Sequence, residues 1–178
     1  DAIAFNRNSW SQVHLQVQVS TGSGLSLAAR YYGIIPGIWQ MRRQDQLYAL
    51  DFTADGRTDA AIFNGLEWGP VYLGLLRSEN GNLVGVRRYD TASNPLPGWQ
   101  MQRRDKHWVA NFDGDTRQDL VVYNKDNWST QYLGMLRSGT SNNLIGSWQD
   151  DWIGGWNLGA SDGFKVADFR GGAGWGDV

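Results

Sequence analysis

The stretch Leu47-Tyr48-Ala49-Leu50, then Asp51-Phe52-Thr53-Ala54-Asp55-Gly56-Arg57-Thr58-Asp59, then Ala60-Ala61-Ile62-Phe63 decides the fold. A short apolar run enters a polar loop with one glycine near its middle, and a second apolar run leaves it. Runs of four or five apolar residues bounded by turn formers read as strands. The pattern returns as Asn111-Phe112-Asp113-Gly114-Asp115-Thr116-Arg117-Gln118-Asp119, followed by Leu120-Val121-Val122-Tyr123. The chain opens on the tail of the same pattern, Asp1-Ala2-Ile3-Ala4-Phe5-Asn6. Asp1, Asp59 and Asp119 lie 58 and then 60 residues apart, and a further 58 residues reach Asp177-Val178.

Other landmarks keep this register. Trp10, Trp68 and Trp128 follow at one offset. Tyr72-Leu73-Gly74-Leu75-Leu76-Arg77-Ser78 matches Tyr132-Leu133-Gly134-Met135-Leu136-Arg137-Ser138, and His14–Ser20 is the weaker first copy. Trp39-Gln40-Met41, Trp99-Gln100-Met101 and Trp156-Asn157-Leu158 each follow a glycine-containing turn. A period this long is the mark of a repeat architecture. The units run 1–58, 59–118 and 119–176 within a single repeat domain spanning 1–178, and a fourth opens at 177–178.

Each unit reads as four short strands. In the middle one they are Leu47 to Leu50, Ala60 to Phe63, Val71 to Leu76 and Leu83 to Val86, the last two joined by the hairpin signal Glu79-Asn80-Gly81-Asn82. Four strands per unit at this period predicts an all-β chain, a β-propeller of four-stranded blades. A β-solenoid or a sandwich of repeated hairpins is the alternative. Two blades would be complete, at about 44–103 and 104–160, and a third split between 1–40 and 161–178. Three blades are fewer than the four to eight typical of a closed ring. The expectation is therefore part of a longer propeller, or half of a two-chain ring and so a homo-oligomer. The chain opens on Asp1 and not on Met, which implies a processed product, a fragment or the ordered part of something longer.

The loops place oxygen side chains at alternate positions: Asp51, Thr53, Asp55 and Asp59 in one, and Asn111, Asp113, Asp115 and Asp119 in the other. A curling loop aims such groups at one centre, and calcium takes six to eight hard oxygens, including a backbone carbonyl at the seventh position. Those carbonyls belong to Arg57 and Arg117. Converging carboxylates repel unless a cation sits among them. Calcium is thus the expected cofactor, in a structural role. The third loop, Asp168 to Asp177, is one residue longer and has Arg170 and Gly172 at its middle positions, so it is a weak site at most.

These residues resemble the FG-GAP (VCBS) repeat of integrin α-subunit propellers and many secreted microbial proteins. That family's pattern is a strand, Asp-Phe-Asn-Gly-Asp-Gly-x-x-Asp, and then a Leu-Ala-Val-like strand. Asp51-Phe52, Asp55-Gly56 and Asp59 fit it with Thr53 in place of Asn. Asn111-Phe112-Asp113-Gly114-Asp115 and Asp119 fit with Asn first and Thr116 where Gly is usual. The resemblance implies a blade-wise calcium propeller, extracellular or secreted, used as a recognition or scaffold module.

Composition narrows the function. There are 178 residues with net charge −2, which gives no electrostatic footprint for nucleic acid. No run reaches the 18 apolar residues a membrane helix needs, and no signal peptide is visible. Cysteine is absent, which excludes thiol catalysis and disulfides. The two histidines, His14 and His107, fall at non-equivalent unit positions, and no Ser/His/Asp set is recognisable. The chain therefore reads as a non-enzyme. Its ten tryptophans suit a core or blade-packing role, or sugar stacking at Trp10, Trp68 and Trp128. Trp148, Trp152 and Trp175 break the repeat and are candidate surface contacts. Arg42-Arg43 with Asp45, and Arg103-Arg104 with Asp105, read as a solvated rim or salt bridges, or else as an anion-binding surface. The expected partner is a glycan or a protein. A structural module assembling through split blades, or the accessory propeller of a larger secreted enzyme, are the rival readings.

Overall fold

A computed structural model describes residues 2–6, 13–35, 39–64, 70–90, 92–96, 99–124, 131–153, 155–159 and 161–166. All regular structure among them is β. Strands β1 (Ala2–Asn6), β2 (His14–Ser20) and β3 (Leu25–Tyr32) form one antiparallel sheet. Strands β4 (Ile34–Ile35) and β5 (Trp39–Gln40) form a small hairpin. A four-stranded meander follows: β6 (Gln46–Leu50), β7 (Asp59–Phe63), β8 (Leu73–Glu79) and β9 (Asn82–Tyr89). A second meander has the same order: β10 (Lys106–Ala110), β11 (Asp119–Asn124), β12 (Tyr132–Gly139) and β13 (Asn143–Asp150). The hairpin β14 (Trp152–Ile153) and β15 (Trp156–Asn157) comes last. The four strands expected of the middle unit are therefore present, each shifted by a few residues at its ends.

The two meanders share more than order. The loop aspartates open the second strand of each, with Leu50 opposite Asp59 and Ala110 opposite Asp119. β7 and β11 are buried at every residue, which is why they read as unbroken apolar runs rather than alternating ones. A register shift falls at Leu75/Leu76 in one and Met135/Leu136 in the other, and at Val17/Gln18 in the three-stranded sheet. A bulge recurring at one place fixes the twist of each sheet there. The Asn80-Gly81 turn has φ of 51° and 75°, the left-handed pair that a two-residue hairpin needs.

The chain divides into two compact units. One comprises residues 1–51 and 55–90, the other 52–54 and 91–178. The core of the first gathers Leu15, Ile35, Trp39, Ile62, Leu76 and Leu83. The Trp39 ring lies on the backbone of Gly74, where a Cβ would come within 2.8 Å of it. That contact explains the glycine in the Tyr-Leu-Gly landmark. In the second unit Leu96 covers Gly134 in the same exclusive way, and Val121, Tyr123, Leu133 and Leu158 form a core flanked by Trp108, Phe112 and Phe164. Full burial of each large apolar side chain stabilises by about 1.5–3 kcal/mol.

The strand expected to complete a split blade is not formed by residues 161–166, which carry no strand. Among the described residues β1 is an outer strand of its sheet. The rest of that expected strand, with the third loop, lies outside the described residues. No helix among the described residues is long and apolar enough to cross a membrane.

Candidate metal loops

The loop between β6 and β7 is organised by carboxylates that accept backbone N–H groups. Gly56 N–H donates to Asp51 Oδ2 at 2.9 Å, and Arg57 N–H donates to Asp55 Oδ1 at 2.9 Å. Gly56 has φ of 78°, so a glycine lets the chain turn back on Asp51 without strain. The loop ends on Asp59, which is fully buried and accepts the Ser78 N–H at 2.7 Å from β8. Thr53 is half-buried at the third position, and Asp55 is exposed.

The loop between β10 and β11 uses the same frame with a different filling. Gly114 N–H donates to Asn111 Oδ1 at 2.8 Å, Asp115 N–H to Asp113 Oδ1 at 3.1 Å, and Arg117 N–H to Asp115 Oδ1 at 2.6 Å. The Asn111 amide donates to the Asp115 carbonyl. Asp119 is buried and takes two amides, Ser138 N–H at 2.8 Å and Phe112 N–H at 3.0 Å. Two guanidiniums enter here: Arg117 pairs with Asp115 at 2.9 Å, and Arg137 with Asp113 at 3.5 Å. Burial pushes the Asp119 carboxyl above the usual carboxylate range. The two amides pull it back, and the charges of Asp113 and Asp115 push it up again. In both loops the fourth residue is left-handed, Ala54 at φ 59° and Gly114 at φ 77°.

Both loops carry hard oxygens, the donor type calcium takes, at the first, third, fifth and ninth positions, and in the second the charges of Asp113 and Asp115 bear on Asp119. Among the described residues no three acidic or histidine side chains are gathered as a ready metal cage. The oxygens engage loop amides and, in the second loop, arginines. Asp168 and Asp177 lie outside the described residues, as do Trp10, Trp68, Trp128 and Trp175. Trp152 sits in β14 opposite Asn157.

A second constellation joins Trp39 and Trp99 each to an aspartate six residues on. Trp39 Nε1 donates to Asp45 Oδ2 at 2.8 Å, and the same oxygen accepts the Arg42 N–H at 2.8 Å. Trp99 Nε1 donates to Asp105 Oδ2 at 2.8 Å, beside the Gln102 N–H at 2.9 Å. Both aspartates are fully buried, whereas Arg42, Arg43, Arg103 and Arg104 are exposed. The arginines are exposed, but a solvated rim does not describe the aspartates, which lock a tryptophan to a turn. The turn recurs where Asp162 Oδ2 accepts the Gly159 N–H at 2.9 Å. The signal was available: an aspartate stands six residues after Trp39, Trp99 and Trp156.

Two further buried groups lie in the second unit. His107 stands 6.1 Å from the Trp99 ring, and burial, helped by the Lys106 charge, lowers its pKa to about 3. The Tyr132 hydroxyl is buried with no hydrogen-bond partner among the described residues, and burial with the nearby Asp105 charge raises its pKa.

Comparison with known proteins finds no matching family model, no matching curated protein and no matching solved structure.

Proposed function

We propose that the chain is a non-catalytic, calcium-stabilised recognition module of the FG-GAP propeller kind, working outside the cell on a glycan or a protein. The observation that carries this reading is the shared anchoring of the two aspartate loops. Each closes on a buried carboxylate, Asp59 or Asp119, hydrogen-bonded to the amide of Ser78 or Ser138 on the third strand of its sheet. A loop clamped this way has lost much of its entropy before any ion arrives, so a weak cation site becomes effective. Asp51, Thr53, Asp55, Asp59 and the Arg57 carbonyl would hold calcium in one loop. Asn111, Asp113, Asp115, Asp119 and the Arg117 carbonyl would hold it in the other. When bound, the ion neutralises carboxylates that otherwise repel. A site of about 0.1 mM affinity in about 1 mM calcium stabilises by about 1.4 kcal/mol.

Thermal unfolding in millimolar calcium and in EDTA tests this. The midpoint is expected to rise with calcium, and Asp55→Ala with Asp115→Ala to abolish the rise. An unchanged midpoint in the parent chain sinks the calcium reading. A glycan array with the calcium-loaded chain then tests recognition.

A second reading, assembly between chains, is favoured by β1. Among the described residues it is an outer strand of a three-stranded sheet, while the two other large sheets carry a fourth strand at that place. Unpaired strand edges are templates for another chain. The expected sign is a midpoint that rises with protein concentration, matched by light scattering.

A further inference from the structure

The loop that ends at Asp59 borders a cavity. The cavity, about 160 Å³ within the first unit, is lined by the apolar Ile3, Val17 and Val19 and by the polar Arg57, Thr58 and Ser78. In the second loop the residues matching those polar ones are engaged. Arg117 is ion-paired with Asp115 at 2.9 Å, and the Ser138 hydroxyl donates to the Gln118 carbonyl at 2.6 Å. In the first loop the Arg57 guanidinium and the hydroxyls of Thr58 and Ser78 have no partner among the described residues. Asp55, matching Asp115, accepts the Arg57 amide but not its guanidinium.

A lining that combines one arginine and two hydroxyl-bearing residues with three branched aliphatic ones suits a ligand with an anionic end and an apolar flank. A guanidinium recognises carboxylate through two parallel hydrogen bonds, and it is more weakly hydrated than an ammonium. The cavity is smaller than the 300–1,000 Å³ of drug-sized sites. That size limits the ligand to a single ring or a short branched chain.

We propose that this cavity binds a small organic carboxylate, Arg57 taking the carboxylate, Thr58 and Ser78 its neighbouring oxygens, and Ile3, Val17 and Val19 the apolar flank. The proposal deepens the recognition reading and rests on it. An acidic monosaccharide and a short branched carboxylic acid share this chemistry.

Ligand-observed NMR and calorimetry with the whole chain in calcium buffer test it, using glucuronate, isovalerate and neutral glucose as probes. At least one carboxylate is expected to bind and glucose not to. Arg57→Ala is expected to weaken binding about ten- to hundred-fold, the range for a hydrogen bond to a charged group. Arg57→Lys is expected to lose less, and Arg103→Ala nothing. Val19→Phe, which fills the cavity, is expected to remove binding. A stronger response to glucuronate assigns a sugar acid, and to isovalerate an aliphatic acid. Silence from both carboxylates, equal binding of glucose, or full binding by Arg57→Ala overturns the proposal. Glycan-array binding that persists in Arg57→Ala would overturn the cavity assignment while leaving the recognition reading intact.

Discussion

The loops at 51–59 and 111–119 have one length, one left-handed fourth position and one buried terminal aspartate, yet their side chains are used differently. In the second, Arg117 and Arg137 sit on the loop's own carboxylates, and Ser138 closes onto Gln118. In the first, Arg57 and Ser78 border a cavity, and their side chains have no partner among the described residues. The common part is what the backbone demands. An amide ladder must be satisfied wherever a loop re-enters a sheet, so the terminal carboxylate is kept. The side chains above that frame carry no such duty, and that is where the two loops diverge.

The largest expected difference between the loop-bearing sheets is acid sensitivity. His107 in β10 has Leu47 as its counterpart in β6. Its imidazole is held neutral, at about 3 against an ordinary 6.5. Below pH 6.5 the unfolded chain takes up a proton that the folded chain refuses. Stability is therefore full above pH 6.5 and falls as pH drops towards 3, by up to about 4 kcal/mol from this group alone. Urea unfolding across that window is expected to show the loss, and His107→Leu to flatten it. An equal slope in His107→Leu would break the comparison.

The anchors come next. Asp119→Ala leaves the Ser138 and Phe112 amides without an acceptor, for an expected loss of about 3 kcal/mol in urea unfolding. Asp59→Ala is expected in the same range, because it strips the Ser78 amide. A loss under about 0.5 kcal/mol at either position would show that the two loops are not held alike. Trp99→Phe and Trp39→Phe, each leaving a buried aspartate without its indole donor, are expected to cost about 2 kcal/mol apiece.

The smallest effects separate the loops most finely. Ala54→Gly relieves a left-handed alanine at a position where the second loop already has Gly114. A gain of about 1 kcal/mol is expected in thermal unfolding. Arg117→Ala is expected to change stability by less than about 0.5 kcal/mol, since the pair is partly exposed. Its informative readout is calcium titration: removing the competing guanidinium should tighten the second loop, whereas Arg57→Ala should leave the first loop's calcium response unchanged.

Much of this was legible in the sequence. The four strands of the middle unit were readable because β7 and β11 are unbroken apolar runs between glycine-bearing polar loops. The hairpin at Asn80-Gly81 was readable because few pairs tolerate two left-handed residues. The site was half legible. Alternating oxygens mark the loops, but nothing in Asp51 to Asp59 against Asn111 to Asp119 tells which arginine folds back on its own loop. Asp45 and Asp105 were misread because two adjacent arginines suggest solvent, and hydropathy is blind to an indole donor six residues upstream.

The sequence by itself determined the strand runs of the middle unit and the all-β class, since these depend on local alternation and turn chemistry. Only the tertiary structure decided that Gly74 must be glycine, because Trp39 lies on it. It alone decided that Asp45 and Asp105 are buried locks, that Arg57 borders a cavity and that Arg117 pairs with Asp115. Those outcomes depend on which side chains from distant strands arrive at the same place, and no local pattern encodes that meeting.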